Sequence, residues 1–182
     1  TSTYAQSAPG DHKGYEYSRN HNPTRTVLQN NLAALENAEH GLCFASGMAA
    51  VDAIIKLLKP GDEVISTNDL YGGTYRIFTK IFEKYGLKFK FVNMSSISNI
   101  EAAISDKTKL IWVETPTNPL LNIVDIKACC ELASKNNILT VVDNTFATPC
   151  IQNPIDLGAD MVMHSVTKYL AGHSDVVMGA VL

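Results

Sequence analysis

Lys168 stands just beyond two hydroxyls in the stretch Ser165-Val166-Thr167-Lys168-Tyr169, downstream of the apolar residues Met161, Val162 and Met163. A lysine at the end of a buried strand can form a Schiff base with an aldehyde cofactor. The hydroxyls of Ser165 and Thr167 are candidates to hold that cofactor's phosphate. Taken alone, the pattern reads more readily as a solvated loop lysine beside two turn residues. Its meaning therefore rests on what else in the chain reaches the same place.

Further residues carry matching chemistry. Ser46-Gly47-Met48 opens a helix after a short apolar run, so free backbone N–H groups and a positive helix end become available to a phosphate. The pattern is neither G-x-x-x-x-G-K-[ST] nor G-x-G-x-x-G, and a plain helix start is its other reading. Asp143 follows the apolar run 139–142, where a half-buried carboxylate needs a cationic partner. A protonated pyridine nitrogen is such a partner, and a turn or N-cap aspartate is the alternative. Tyr71 lies in a loop with Gly72 and Gly73, where its ring could stack on a flat ligand. Arg76, five residues on, is a candidate for a substrate carboxylate or simply part of a solvated helix face. Tyr17-Ser18-Arg19 sits in an amino-terminal segment that can cross to a neighbouring subunit and complete a phosphate site there.

The elements that would position these residues follow from hydrophobic patterning. Residues 1–23 lack a sustained period and read as an extended arm. A helix begins near Pro23, carries Leu28, Leu32 and Leu35 on one face, and stops by Gly41. Strands are expected at 42–45, 63–66, 88–92, 110–113, 139–142 and 161–163, with helices at 48–58, 74–85, 100–104 and 126–134 between them. Strands that are almost wholly apolar and separated by helices predict an α/β fold of three layers, a mostly parallel sheet covered on both faces. In such a sheet, ligands bind beyond the carboxyl ends of the strands. Ser46-Gly47, Tyr71, the loop 114–119, Asp143 and the approach to Lys168 all fall there.

Composition narrows the function class. Of 182 residues, 46% are apolar and 18% charged, as in a compact globular protein. A net charge of −3 gives no electrostatic case for nucleic acid or an anionic membrane. No apolar run is long enough to span a bilayer. Cys43, Cys129, Cys130 and Cys150 show no C-x-x-C spacing and read as reduced thiols of a cytoplasmic protein. The histidines are scattered, and no metal is expected. The chain starts at Thr1 and stops inside the apolar run 176–182, so it is expected to be part of a longer polypeptide.

Several ordered motifs carry a resemblance. They are Tyr17-Ser18-Arg19-Asn20-His21-Asn22-Pro23-Thr24-Arg25, Phe44-Ala45-Ser46-Gly47-Met48-Ala49-Ala50, Asp69-Leu70-Tyr71-Gly72-Gly73-Thr74-Tyr75-Arg76, Glu114-Thr115-Pro116-Thr117-Asn118-Pro119, Val142-Asp143-Asn144-Thr145-Phe146, and Ser165 to Tyr169 followed by Gly172-His173-Ser174-Asp175. Together the sequence resembles the Cys/Met-metabolism family of pyridoxal-phosphate enzymes, which includes cystathionine γ-lyase, γ-synthase and β-lyase and methionine γ-lyase. The resemblance implies the large domain of the fold type I transferases over 24–182, with a smaller carboxy-terminal domain lying outside the chain. The arm would reach a neighbouring subunit of a homotetramer, a dimer of dimers with shared active sites. The cofactor would be pyridoxal 5'-phosphate and the substrate a sulfur-containing amino acid.

By that resemblance Lys168 would be the Schiff-base lysine and proton shuttle, and Tyr71 would stack on the cofactor and assist proton transfer. Asp143 would face the pyridine nitrogen, and Asn118 the phenolic oxygen. Gly47, Met48, Ser165 and Thr167 would hold the phosphate, joined by Tyr17 and Arg19 of the adjacent subunit, with Thr145 also at the cofactor. Arg19, Tyr71 and Arg76 are the substrate-side candidates. Methionine γ-lyases usually carry cysteine where this chain has Gly73, which counts against that activity. The reading leans to cystathionine γ-lyase, with γ-synthase close behind. A non-catalytic module that binds the cofactor or pairs subunits is the alternative of another class.

Overall fold

Neighbouring residues of a strand point to opposite faces, so a strand whose residues are all buried needs cover on both sides. The computed structural model describes residues 1–182 and meets that need with helices on each face of one sheet. The order along the chain is β1 (Gln6–Ala8), β2 (Asp11–His12), α1 (Pro23–Leu35), β3 (Leu42–Phe44), α2 (Gly47–Ile55), β4 (Glu63–Thr67), α3 (Gly72–Lys80), β5 (Lys88–Val92), α4 (Ile97–Ala103), β6 (Thr108–Glu114), α5 (Ile126–Lys135), β7 (Leu139–Asp143), β8 (Met161–His164) and β9 (Gly179–Val181). The main sheet has seven strands in the order β3-β9-β8-β7-β6-β4-β5. Strands β4 to β8 pair in parallel, as expected, and β9 alone runs antiparallel to both neighbours.

The two faces divide the strand residues between them. On one, Ala50, Val51, Ile54 and Phe78 of α2 and α3 pack on Val64, Leu110, Trp112 and Val141. Phe78 meets Trp112 edge-on, with ring centroids 5.5 Å apart. On the other, Ile100, Ile126 and Cys129 of α4 and α5 cover Ile65, Ile111, Val113 and Val142. Helix α1 lays Leu32 and Ala33 on Val162, Ala180 and Leu182. Its start is fixed by Asn22, whose side chain accepts from the N–H groups of Thr24 and Arg25, with Pro23 in the first turn.

Two expectations change, and one further strand appears. The helix expected over 74–85 is α3 followed by a separate 3-10 turn at Phe82–Tyr85, closed by Gly86 at φ 86°. The apolar run 176–182 contains β9, which lies between β3 and β8. The amino-terminal arm is not extended. It folds back as the hairpin β1–β2, with Gly10 at φ 81° in its turn and a bridge between Thr3 and Tyr17. All four cysteines are free, and no helix is long and apolar enough to cross a membrane.

Candidate active site

Strand direction explains the site. Strands β3, β4, β6, β7 and β8 all end on one edge of the sheet, and their following loops surround a cavity of about 200 Å³. Gly47, Met48, Tyr71, Asn118, Asp143, Thr145, Ser165, Thr167 and Lys168 all line it. Tyr17, Arg19 and Arg76 do not. The Arg19 guanidinium instead sits 4.9 Å over the Tyr17 ring of the same hairpin region, and Arg76 is exposed on α3.

One side of the cavity suits an anion. Ser46 caps α2, its hydroxyl accepting from Ala49 N at 3.1 Å. The amides of Gly47 and Met48 are left at the positive end of the helix, against the cavity. Gly47 is required by closeness: a Cβ there would lie 2.9 Å from Ser165 Cβ and 3.0 Å from Ser165 Oγ. The Thr167 hydroxyl is already engaged, donating to Met178 O at 3.1 Å and accepting from Met178 N at 3.0 Å. Thr167 therefore braces the loop as it stands, and Ser165 is the freer hydroxyl.

The cavity also holds two carboxyls. Asp143 is 7% exposed, and its Oδ1 accepts from Thr145 N at 3.1 Å and from Thr145 Oγ1 at 2.6 Å. The same Thr145 hydroxyl accepts from Ser165 N at 2.9 Å, which joins the end of β7 to the end of β8. Burial pushes the Asp143 carboxyl up, while the two Thr145 donors and His164 pull it back. Glu114, at the end of β6, is the register partner of Asp143 and is 5% exposed. Its Oε2 accepts from Tyr71 N at 2.9 Å. Burial, with the nearby Asp143 and Asp69 carboxylates, pushes Glu114 up to about 9 against the pull of the Tyr71 N–H. The sequence places Glu114 at the head of the loop 114–119 on this sheet edge without assigning it a role. The strand-end logic that singles out Asp143 applies to it equally.

Tyr71 precedes α3, with its ring folded against Gly73, where a Cβ would come 2.3 Å from Tyr71 Cε1. Asn118 is held by its loop: Asp69 Oδ2 accepts from Thr117 Oγ1 and, at 3.0 Å, from Leu120 N. Lys168 makes no ion pair and is exposed at the cavity, its amine free. Beneath the floor, on the other face of the sheet, fully buried Glu36 and His164 meet at 2.5 Å, and Asn144 Nδ2 donates to the same Glu36 oxygen at 2.7 Å. This network ties the end of α1 to the ends of β7 and β8.

The donor set fits pyridoxal phosphate. An amine, an amide-lined helix end with a free serine hydroxyl, and a buried carboxylate without a cationic partner match its aldehyde, phosphate and ring nitrogen in kind. Thr74 Oγ1, buried in the cavity wall without any hydrogen-bond partner, is a further polar atom that a ligand could satisfy.

Comparison with known proteins agrees. The probable cystathionine gamma-synthase of Herpetosiphon aurantiacus is 57% identical over 182 residues, covering 100% of this chain and 57% of that protein. The cystathionine gamma-lyase of Dictyostelium discoideum is 53% identical over 180 residues, covering 98% of this chain and 46% of that protein. The crystal structure of metB from Corynebacterium glutamicum superposes with a TM-score of 0.97 at 52% identity, covering 100% of this chain and 48% of that one. The chain thus spans about half the length of the relatives it matches. The sequence pattern of the family described as Cys/Met metabolism PLP-dependent enzyme matches residues 1–182, and the chain belongs to that family.

Proposed function

We propose that the protein to which this chain belongs is a pyridoxal-phosphate carbon–sulfur lyase, first of all a cystathionine γ-lyase that converts cystathionine to cysteine, 2-oxobutyrate and ammonia. The observation that carries this reading is the convergence of Lys168, Asp143, Tyr71 and the Gly47–Ser165 cradle on one cavity. Bound there, pyridoxal phosphate supplies an aldehyde and a cationic ring that draws electrons from the carbon next to the substrate nitrogen.

The chain's own residues do the rest. Lys168 Nζ provides the amine for the aldehyde and, once released, a base that holds a proton at Nζ. Asp143 offers its carboxyl to the ring nitrogen, the two Thr145 donors favouring the anion against the upward push of burial. Tyr71 covers the ring, and Asn118 offers its amide to the ring's phenolic oxygen. The Gly47 and Met48 amides and the Ser165 hydroxyl hold the phosphate. Thr167 joins them by exchanging its bonds to Met178. Tyr17 and Arg19 lie outside their own chain's cavity in the segment between the hairpin and α1, a placement that suits delivery into the site of a second copy in a homotetramer. Arg76, on the outer side of α3, is the weakest of the substrate-side candidates.

A second reading, γ-replacement as in a cystathionine γ-synthase, draws support from the 57% identical relative of that name. The test uses the full-length protein. It should be yellow, and borohydride should fix the label on Lys168. Release of cysteine and 2-oxobutyrate from cystathionine supports γ-lyase, and cystathionine formation from an activated homoserine and cysteine supports γ-synthase. Cofactor binding without turnover would point to the non-catalytic module. A colourless protein that binds no pyridoxal phosphate sinks every one of these readings.

A further inference from the structure

Glu114 and Asp143 end adjacent parallel strands in register, face the same cavity and are both buried, yet their partners differ. Asp143 receives an N–H and an O–H from Thr145, both of which favour a carboxylate. Glu114 receives only the Tyr71 N–H, a bond that either protonation state can accept. Neither carboxyl has a lysine, arginine or histidine within ion-pair distance. Two like charges buried at adjacent strand ends disfavour each other, and the one with fewer donors yields.

We propose that Glu114 is a positioning residue that stays a neutral carboxylic acid, leaving Asp143 as the single anion of the pocket while its own oxygen fixes the Tyr71 N–H at the start of α3. The proposal rests on the cofactor reading above and deepens it. The charged and titratable groups around Glu114 are Asp143 on β7, Asp69 after β4, Tyr71 before α3, and Lys168 across the cavity. His164 acts on Asp143 from the far face of the sheet. Both acidic neighbours push Glu114 the same way as burial does. The consequence is a division of labour. One carboxylate matches one ring cation, and a second negative charge is kept away from a cavity that must also admit an anionic phosphate.

Infrared spectroscopy of the full-length protein without cofactor tests this directly. At neutral pH a protonated-carboxyl stretch should be present, should vanish as the pH passes about 9, and should be missing from Glu114→Gln. A carboxylate signal for Glu114 at neutral pH overturns the proposal. The second readout is the dissociation constant of pyridoxal phosphate. Glu114→Gln keeps a neutral acceptor for Tyr71 N and should bind at least about tenfold more tightly than Glu114→Ala, which leaves that N–H without a partner. Equal weakening of the two variants also overturns it. If the protein binds no pyridoxal phosphate, the functional reading fails, and the infrared measurement still decides the state of Glu114.

Discussion

Replacing Thr145 with valine removes one hydroxyl that serves two sides of the cavity. Its Oγ1 donates to Asp143 Oδ1 at 2.6 Å and accepts from Ser165 N at 2.9 Å. Valine keeps the β-branched shape, and residue 145 can still donate its backbone N–H to Oδ1. A hydrogen bond to a charged group contributes about 1.5–3 kcal/mol. At about 1.4 kcal/mol per tenfold, loss of the Asp143 bond alone should weaken pyridoxal-phosphate binding by about 10- to 100-fold. The pH dependence has a definite sign. The hydroxyl favours the anion, so its removal raises an Asp143 carboxyl that burial already pushes up. The anion then persists only at higher pH, and the acid limb of cofactor affinity should move upward in Thr145→Val. Thr145→Ser keeps the hydroxyl and should stay near the parent on both counts. The assay is a visible-absorbance titration of cofactor-free full-length protein across the acid-to-neutral range. Valine and serine variants with affinities within about twofold and the same acid limb would refute the argument.

Two further perturbations probe the cradle and the scaffold separately. Gly47→Ala places a methyl 2.9 Å from Ser165 Cβ and 3.1 Å from Ser165 Cα, so either the α2 terminus or the Lys168 loop must give way. Overpacking of this kind costs about 1–3 kcal/mol, and because both displaced groups face the phosphate side, cofactor affinity should fall about tenfold. Parent-like affinity in the same absorbance titration would mean that the cradle lies elsewhere. Against the upward push of burial, hydrogen bonds from Lys90, Thr108 and Ser105 hold Glu63 below the usual carboxylate range. That contribution to stability is present above the unfolded-state value and lost as pH falls through the folded-state one. Glu63→Gln should therefore flatten the acid limb of urea-unfolding stability and cost about 1 kcal/mol at neutral pH, a modest figure because Lys90 is 39% exposed. Superimposable acid limbs for the two proteins would contradict the assignment.

How much the sequence disclosed depended on whether burial left a periodic trace. Strands β4, β6, β7 and β8 are buried on both faces, so nearly every residue is apolar and the strand ends stand out. Asp143, Ser165 and Lys168 were legible for that reason. Glu114 was equally placed, directly after the apolar run 110–113, and only the pairing Glu114↔Asp143 shows the two carboxyls to be neighbours. Arg76 illustrates the converse. Its guanidinium folds back along α3, with Nη1 3.4 Å from where a Cβ of Gly72 would stand, and still does not line the cavity. Thr74, three residues on from Tyr71, turns back to the cavity wall instead. Strand β9 left little trace, because the valine- and methionine-rich run 176–182 states apolarity without stating which neighbours it will pair with or in which direction. The hairpin of the arm had one cue, Pro9-Gly10, in a segment otherwise without period.

The antiparallel strand is also what shapes the side of the cavity proposed to take the phosphate. Because β9 runs opposite to both β3 and β8, those two strands run the same way, with β9 between them. Helix α2, which follows β3, and the Ser165–Lys168 loop, which follows β8, therefore open on one edge about two strand spacings apart, roughly 9–10 Å. Side chains of ordinary size would hold those segments apart. Gly179 lies in the strand between them, and a Cβ there would stand 2.2 Å from Ser46 O and 2.9 Å from Gly47 Cα. Gly47 repeats the condition against Ser165 on the other side. Bare backbone at two positions far apart in sequence thus closes the gap, so the amides of α2 and the hydroxyl of Ser165 can address a single anion. A sheet with the same motifs but a side chain at either glycine would leave Asp143 in place yet force α2 and the Ser165–Lys168 loop apart, and with them the groups proposed to hold the phosphate.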